Sequence, residues 1–412
     1  MKSYTKKYVI VGCGNRGIEM FAVPIVKKFS DVAELVGISD VNLQRMGVLK
    51  KRVKRDIASF KNFSEMLKVT KPDTVIVTTI DKFHHKYIIE ALEFGADVIT
   101  EKPMTIDDEK CRAILNAQKR TGKKVTVTFN YRFTPYVSKI KELISKGAIG
   151  KILSVDFEWI LDARHGADYF RRWHRNKANS GGLLVHKATH HFDLVNWLIN
   201  QEPETVFAFG GLNFYGPKRK QRGQRCLTCK YKSSCEFYMD ISCKEFKKLY
   251  LEAEKCDGYY RDKCVFAVEI DIEDTMALCV KYDKGAVMTY SLIAHSPYEG
   301  WRMAINGTNG RLEAEIFESG HKASGKNQKI MFYDRKGQIK EIIVPKSKGG
   351  HGGGDERLLR MLFVGDLKDP LGHMAGTRAG AMSILTGISA NYSIALGKPI
   401  NVKDLLKKSP VK

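Results

Sequence analysis

No stretch of this chain approaches the roughly 20 consecutive apolar residues that span a bilayer. That excludes a helical membrane protein, and no membrane partner is expected. The basic opening run, Met1–Gly17, has neither an h-region nor a small-residue cleavage site; its apolar stretch runs straight into a glycine turn. The expected setting is therefore cytoplasmic. Internal repeats are lacking too. So are helix-turn-helix and aromatic-rich RNA-binding signatures. This matters because the chain is basic: 69 Lys and Arg against 46 Asp and Glu give a net charge of +23. The basic residues recur in short clusters such as Lys50-Lys51-Arg52 and Lys218-Arg219-Lys220, with no basic tail. A field of this sign draws in anions such as nucleotide cofactors or acidic sugars. Without a recognition motif, nucleic acid is not expected as a partner.

What is present suffices for two domains. The chain has 412 residues, against roughly 100–200 per domain. A chain this long can bury a full core without disulfides. Its first part alternates strand and helix. Apolar strands are expected at Lys7–Val11, Ala33–Ser39, Asp73–Thr79, Asp97–Thr100 and Lys124–Thr128, with helices at Asn15–Lys28, His85–Phe94 and Asp107–Arg120. Near-continuous apolar strands between amphipathic helices indicate a parallel sheet covered on both faces. After Asn130 the pattern becomes alternating, as in Ile152–Ile160, Val206–Phe214, Thr275–Tyr282, Ala286–Ala294 and Arg311–Phe317. Such alternation indicates a large antiparallel sheet. Helices are expected at Val185–Leu198 and Ala379–Leu396, and Lys346–Gly354 is a glycine-rich loop. The expected fold is α/β. Residues 1–125 form a dinucleotide-binding domain and 126–412 a substrate-binding α/β domain.

Gly12-Cys13-Gly14-Asn15-Arg16-Gly17 fits G-x-G-x-x-G, following a strand and opening a helix. In that context the glycines permit a tight turn, close approach of a pyrophosphate, and helix–strand packing. Gly12, Gly14, Asn15, Arg16 and Gly17 are therefore candidate cofactor residues. Asp40 closes the second strand, where a carboxylate accepts hydrogen bonds from a ribose 2′-OH and repels a 2′-phosphate. NAD is favoured over NADP, although nearby Arg45 keeps NADP open.

The stretch Thr79–Pro103, TIDKFHHKYIIEALEFGADVITEKP, resembles the signature region of the glucose–fructose oxidoreductase, inositol dehydrogenase and rhizopine-catabolism (Gfo/Idh/MocA) family. Asn130-Tyr131-Arg132-Phe133, the turn Gly147–Lys151, Ser180-Gly181-Gly182, His190 and Asp193–Trp197 are similar to further family segments. The resemblance implies a Rossmann domain plus an α/β domain on a large, open, mostly antiparallel sheet. It implies hydride transfer between NAD(P) and a small-molecule sugar, cyclitol or related polyol. It adds Thr79, His84, Glu101 and Lys102 to the cofactor residues, makes Lys102 the contact to both cofactor and substrate, and makes His190 the acid/base. Arg132 is an expected substrate contact, and a homo-oligomer (dimer or tetramer) is expected.

The chain departs from that pattern at His186, where many members carry an aspartate four residues before the histidine. Positions i and i+4 share a helix face, so His186 and His190 are expected to face one cleft. His186 or Lys187 becomes an additional catalytic candidate. His-x-x-x-His is also a metal-ligand spacing, but it lacks the glutamate of H-E-x-x-H and a third ligand. The aromatic and arginine-rich run Ala167–Arg175 supplies Arg172 and Trp173 as substrate candidates, and the glycine loop supplies His351.

Six of the nine cysteines fall between 226 and 264, in what resembles an insertion at about 215–268. Cys226, Cys229 and Cys235 resemble half a zinc knuckle, with Cys264 the best fourth ligand and Cys243 or Cys256 as substitutes. A structural zinc is the expectation, with an iron–sulfur cluster or free thiols as alternatives.

Three functions are open at this point. The leading one is NAD-dependent oxidation of a sugar, cyclitol or glycoside hydroxyl to a ketone. The second is a glycosidase or lyase that retains NAD and oxidises its glycoside only transiently. The third, a non-catalytic sensor, is disfavoured by the presence of both Lys102 and His190.

Overall fold

The computed structural model describes residues 5–407 apart from Ser324 and Asp366. The outer ends of both expected domains, 1–4 and 408–412, lie outside the described residues. Six strands form the first sheet: β1 (Lys6–Val11), β2 (Ala33–Ser39), β3 (Ser59–Phe60), β4 (Thr74–Val77), β5 (Asp97–Thr100) and β6 (Val125–Val127). Their order is β3-β2-β1-β4-β5-β6, and every pairing is parallel. All four residues of β4 are buried, as expected for a strand covered on both faces. The order reverses between β1 and β4, which opens a crevice beyond the carboxyl ends of the strands.

The second sheet has nine strands: β7 (Ile152–Asp162), β8 (Pro203–Gly211), β9 (Thr275–Tyr282), β10 (Val287–Ser296), β11 (Gly300–Gly307), β12 (Gly310–Phe317), β13 (Asn327–Asp334), β14 (Ile339–Pro345) and β15 (Ile400–Asn401). Their order is β14-β13-β12-β11-β7-β10-β9-β8-β15. Only β7 and β10 pair in parallel among the described pairings. Burial alternates residue by residue along β9 and β10, so one face packs on helices and the other lies open. The covering helices include Thr189–Ile199 and Thr377–Leu396, which pack on each other. The two domains also meet through backbone: the Val127 N–H donates to the Ala375 carbonyl at 2.9 Å. No helix among the described residues is long and apolar enough to cross a membrane.

Two elements differ from expectation for identifiable reasons. The strand expected to reach Phe214 stops at Gly211. Beyond it, the N–H groups of Asn213, Phe214 and Tyr215 donate to the Asp274 carboxylate at 2.7–2.9 Å instead of to a neighbouring strand. The helix expected over Val185–Leu198 is two helices, Leu183–His186 and Thr189–Ile199. At the break, the His190 N–H reaches back only to the Lys187 carbonyl. The His186 carbonyl accepts from Lys102 Nζ at 2.9 Å.

The inserted segment folds over the first domain. Asn42 Nδ2 donates to the Ala253 carbonyl at 2.9 Å, and Arg45 pairs with Asp257 at 2.6 Å. The interior of the insertion is aromatic and ionic. Tyr215, Phe237 and Phe266 cluster with ring centroids 5.5–6.4 Å apart, and Arg225 bonds both Glu254 and Asp262.

Candidate active site

A cleft of about 1080 Å³ runs between the domains. Its floor is the chain leaving β1, β2, β4 and β5, each at its carboxyl end. Gly12 has φ +97°, and a Cβ there would lie 2.7 Å from the Thr78 backbone. A Cβ on Gly17 would sit 2.3 Å from the Gly12 carbonyl oxygen, whereas one on Gly14 would meet nothing within 4 Å. The turn is thus closed on its protein side and open on its cleft side. The helix that follows presents unpaired N–H groups there. Arg16, beside Asn15, is held by Glu101 at 2.8 Å. Asp40 accepts the N–H groups of Cys13 and Asn42 at 2.6 and 2.8 Å. A carboxylate has lone pairs to spare beyond those two. These residues fit a dinucleotide.

Lys102 enters from the turn after β5. Burial, helped by the nearby charge of Lys187, pulls its ammonium down to about 8, against the opposing pull of Asp81. His190 lines the same cleft, and its buried Nδ1 has no partner in the protein. Burial, then the charges of Lys102, His351 and Lys187, hold its imidazole well below the usual histidine range, so it stands neutral. His186 also lines the cleft, with Nδ1 2.5 Å from Asp81 Oδ2. Burial drives both partners toward their uncharged forms, Asp81 upward and His186 downward. Lys187 points its ammonium over the Trp159 ring at 5.1 Å and is not among the cleft-lining residues.

Among the expected substrate residues, Arg172, Trp173 and His351 line the cleft. His351 Nδ1 lies 3.0 Å from both Asn130 Nδ2 and Asp355 Oδ1. Arg132 is elsewhere: its guanidinium makes a buried two-pronged pair with Asp193 at 2.5 and 2.7 Å and donates to the Gly372 carbonyl. A guanidinium so engaged fastens the segment after β6 to the helices of the second domain and has no free edge for a substrate. His84 lines the cleft, yet its ring nitrogens sit 2.8 and 3.0 Å from the Pro103 and Thr79 carbonyls. It ties together the loops after β4 and β5.

The expected zinc site does not assemble. Among the described residues no group of three or more His, Cys, Asp or Glu side chains is placed to hold a metal. That covers Cys226, Cys229, Cys235 and Cys264. Burial pushes the Cys226 thiol upward, away from the thiolate a zinc site needs, and its sulfur faces Arg171 and the Phe237 carbonyl. The insertion is packed by the aromatic and ionic interior described above.

Sequence reasoning missed several cleft residues. Asp81 lies inside the recognised stretch, and the missing aspartate at position 186 was its signal: a carboxylate for the histidine had to come from elsewhere. His165 faces both Glu299 oxygens at 2.9 Å, and its other nitrogen lies 3.1 Å from the Tyr169 hydroxyl. Phe246, Tyr250, Asp257, Tyr259 and Arg261 reach the cleft from the insertion, with no sequence pattern to announce them.

A glycine-turn cleft that also holds a buried lysine and a neutral histidine defines a dinucleotide-dependent oxidoreductase. Residues 6–129 match the family model for the NAD-binding Rossmann fold of the GFO/IDH/MocA oxidoreductases, and 141–402 match that for their C-terminal alpha/beta domain. The chain belongs to this family. It is 43% identical over 430 residues to a Bacillus subtilis protein provisionally named oxidoreductase YteT, covering 98% of this chain and 100% of that one. It is 25% identical over 184 residues to inositol 2-dehydrogenase of Rubrobacter xylanophilus, covering 43% of this chain and 48% of that protein. A structure of levoglucosan dehydrogenase with NADH and levoglucosan superposes with a TM-score of 0.70 at 18% identity, covering 97% of this chain and 100% of that one. Scyllo-inositol dehydrogenase from Lactobacillus casei, with NAD(H) and scyllo-inositol, gives 0.66 at 18% over the same shares. At these identities the structural likeness concerns the fold.

Proposed function

We propose that this chain oxidises a hydroxyl of a sugar, cyclitol or glycoside to a ketone, with NAD as the acceptor. The observation that carries the proposal is that Lys102, His190 and the glycine turn share one cleft. The turn at Gly12, Gly14, Asn15, Arg16 and Gly17 would hold the pyrophosphate, and Asp40 the adenosine ribose. Thr79 and Glu101 border the same floor. Bound NAD supplies the hydride acceptor. Lys102 Nζ, anchored on the His186 carbonyl, is positioned to donate to the substrate oxygen and to favour its alkoxide character. His190 is neutral, so it can take the hydroxyl proton. His186, braced by Asp81, and Lys187 stand behind these two as positioning residues. Trp173 and His351 border the substrate.

The retained-cofactor glycosidase gains no support, because the relatives named for a sugar or cyclitol reaction are dehydrogenases. The open face of the second sheet, with exposed Phe209 and Val287, supports the expected homo-oligomer. The test of function is absorbance at 340 nm with NAD against sugars, cyclitols and glycosides. A sustained rise with one substrate supports the dehydrogenase. Cleavage of a glycoside with no net NADH would overturn it.

A further inference from the structure

We propose that the substrate end of the cleft is built for a sugar bearing a carboxylate, gripped by Arg261 of the insertion together with Arg172. The proposal deepens the reading above and rests on it for the sugar.

Arg261 is 8% exposed, and its Nε and Nη1 have no partner in the protein. Its remaining nitrogen reaches Asp168 only at 3.4 Å. Arg172 donates to the same carboxylate at 3.0 Å, while its buried Nε makes no close hydrogen bond, with the Tyr259 hydroxyl as its neighbour. Both residues line the cleft. Buried guanidinium N–H groups without acceptors are costly, so their retention points to an acceptor that arrives with a ligand.

The charge count agrees. Among the described residues Asp168 faces three guanidiniums, those of Arg171, Arg172 and Arg261. Three guanidiniums meet one carboxylate there, and the next acid facing Arg172, Asp81, is itself driven toward its uncharged form by burial, so positive charge is in local surplus. The rings of Phe246 and Tyr250 hold the Arg261 guanidinium at 5.0 and 4.8 Å. That fixes its orientation before any ligand binds and lowers the entropy lost on binding.

The position is also right. Arg172 precedes Trp173, which stacks on His174 at 3.6 Å and stands 5.6 Å from His186. The arginines therefore border the acid–base end of the cleft. On the cofactor side, Arg45 pairs through Nη1 with Asp257 at 2.6 Å and keeps two unpartnered nitrogens of its own, away from the acid–base end. Three unpartnered donor nitrogens, on two side chains that both bond Asp168, match in number the two oxygens and roughly four lone-pair sites of a carboxylate.

The test is calorimetric titration of the NADH-loaded full chain with D-galacturonate, D-galactose and D-galactose 6-phosphate. The expected result is that galacturonate binds about ten- to a hundredfold tighter than galactose, the range for a hydrogen bond to a charged group. Arg261→Met and, separately, Arg172→Met should collapse that ratio toward unity and change the NADH Kd less than threefold. Loss of packing alone would weaken both sugars together and leave the ratio intact. A wild-type ratio within twofold, or tighter binding of the phosphate, overturns the proposal. So does an NADH affinity that falls in step with galacturonate in both variants. Turnover at 340 nm separates the two claims. Neutral sugars oxidised with no acid preference sink this inference and spare the dehydrogenase. Charge-selective binding with no NADH formed from any sugar does the reverse.

Discussion

On the cofactor side of the cleft the protein works with backbone: a glycine turn, helix N–H groups and strand ends, with Asp40 itself braced by two N–H donors. On the substrate side it works with side chains drawn from distant segments. Asp81 meets His186 across 105 positions of sequence, and Arg261 meets Asp168 across 93. A backbone site is specified by a short local pattern, because a turn is a property of consecutive residues. A side-chain site depends on where several elements end up, so one unexpected bend or insertion rearranges it. The two sides should therefore respond differently to mutation.

The largest separation is expected at the acid–base pair. His190→Gln should lower kcat by about 10²–10⁴-fold, the usual worth of a positioned general acid or base. Lys102→Met, which removes the donor to the developing alkoxide, should cost about 10²–10³-fold. In both, the NADH Kd should stay within a few-fold of wild type, measured by nucleotide fluorescence. Turnover close to wild type in either variant would remove that residue from the mechanism.

Gly17→Ala probes the other side. Its Cβ would press on the Gly12 carbonyl at 2.3 Å, where only backbone can move. Overpacking of this kind costs about 1–3 kcal/mol, or roughly 5- to 150-fold in NAD affinity if the turn opens to relieve it. The expected signature is a raised NAD Kd with kcat at saturating NAD little changed. If kcat falls while Kd does not, the division of labour is wrong.

The same division explains what could be read without the structure. The six-stranded sheet, and the places of the glycine turn, Asp40 and Lys102 just beyond strand ends, were legible because each is a local pattern. The alternating strands of the second sheet were legible for the same reason, although their order was not. His186 and His190 do share the cleft, but not by the helix periodicity expected of them. The helix breaks between them, and the break frees the carbonyl that holds Lys102. Arg132 was misplaced because arginine in a recognised motif looks alike whether it faces a ligand or a buried aspartate. The cysteines misled because spacing says nothing about whether thiols converge. What packs the insertion is a set of aromatic rings and a charge network with no signature.

Acidity sharpens the comparison next. Lys102 is drawn down to about 8, so its ammonium is present below that pH and lost above it. Stabilising an alkoxide needs the cation, and kcat/KM should fall about tenfold per unit above pH 8. His190 must be neutral to act as base, and it lies well below the ordinary histidine range. The acid limb should therefore fall below the ordinary histidine range. Lys102→Arg, which stays charged, should abolish the alkaline limb even if the rate drops. A wild-type profile that keeps rising through pH 10 would show that the uncharged amine is the working form.

The smallest effect is expected where the insertion touches the cofactor side. Arg45 and Asp257 pair at 2.6 Å, Arg45 half-buried and Asp257 at an exposed position, with Asp40 close by. As built, Asp257 engages Nη1 of Arg45, a guanidinium placed to receive a 2′-phosphate, and adds a second negative charge near that position. Asp257→Asn removes both obstacles and leaves Asp40 in place. The NADPH Kd should improve roughly three- to fivefold, the worth of about 1 kcal/mol for a partly exposed charge. NADH should still bind better, because Asp40 continues to accept from the ribose and to repel the phosphate. Paired fluorescence titrations of the two nucleotides decide the matter. If NADPH alone gains, the insertion tunes the cofactor side only through Arg45. If NADH affinity instead drops several-fold, Asp257 and its loop hold the cofactor directly, and the cofactor side depends on a distant side chain as much as the substrate side does.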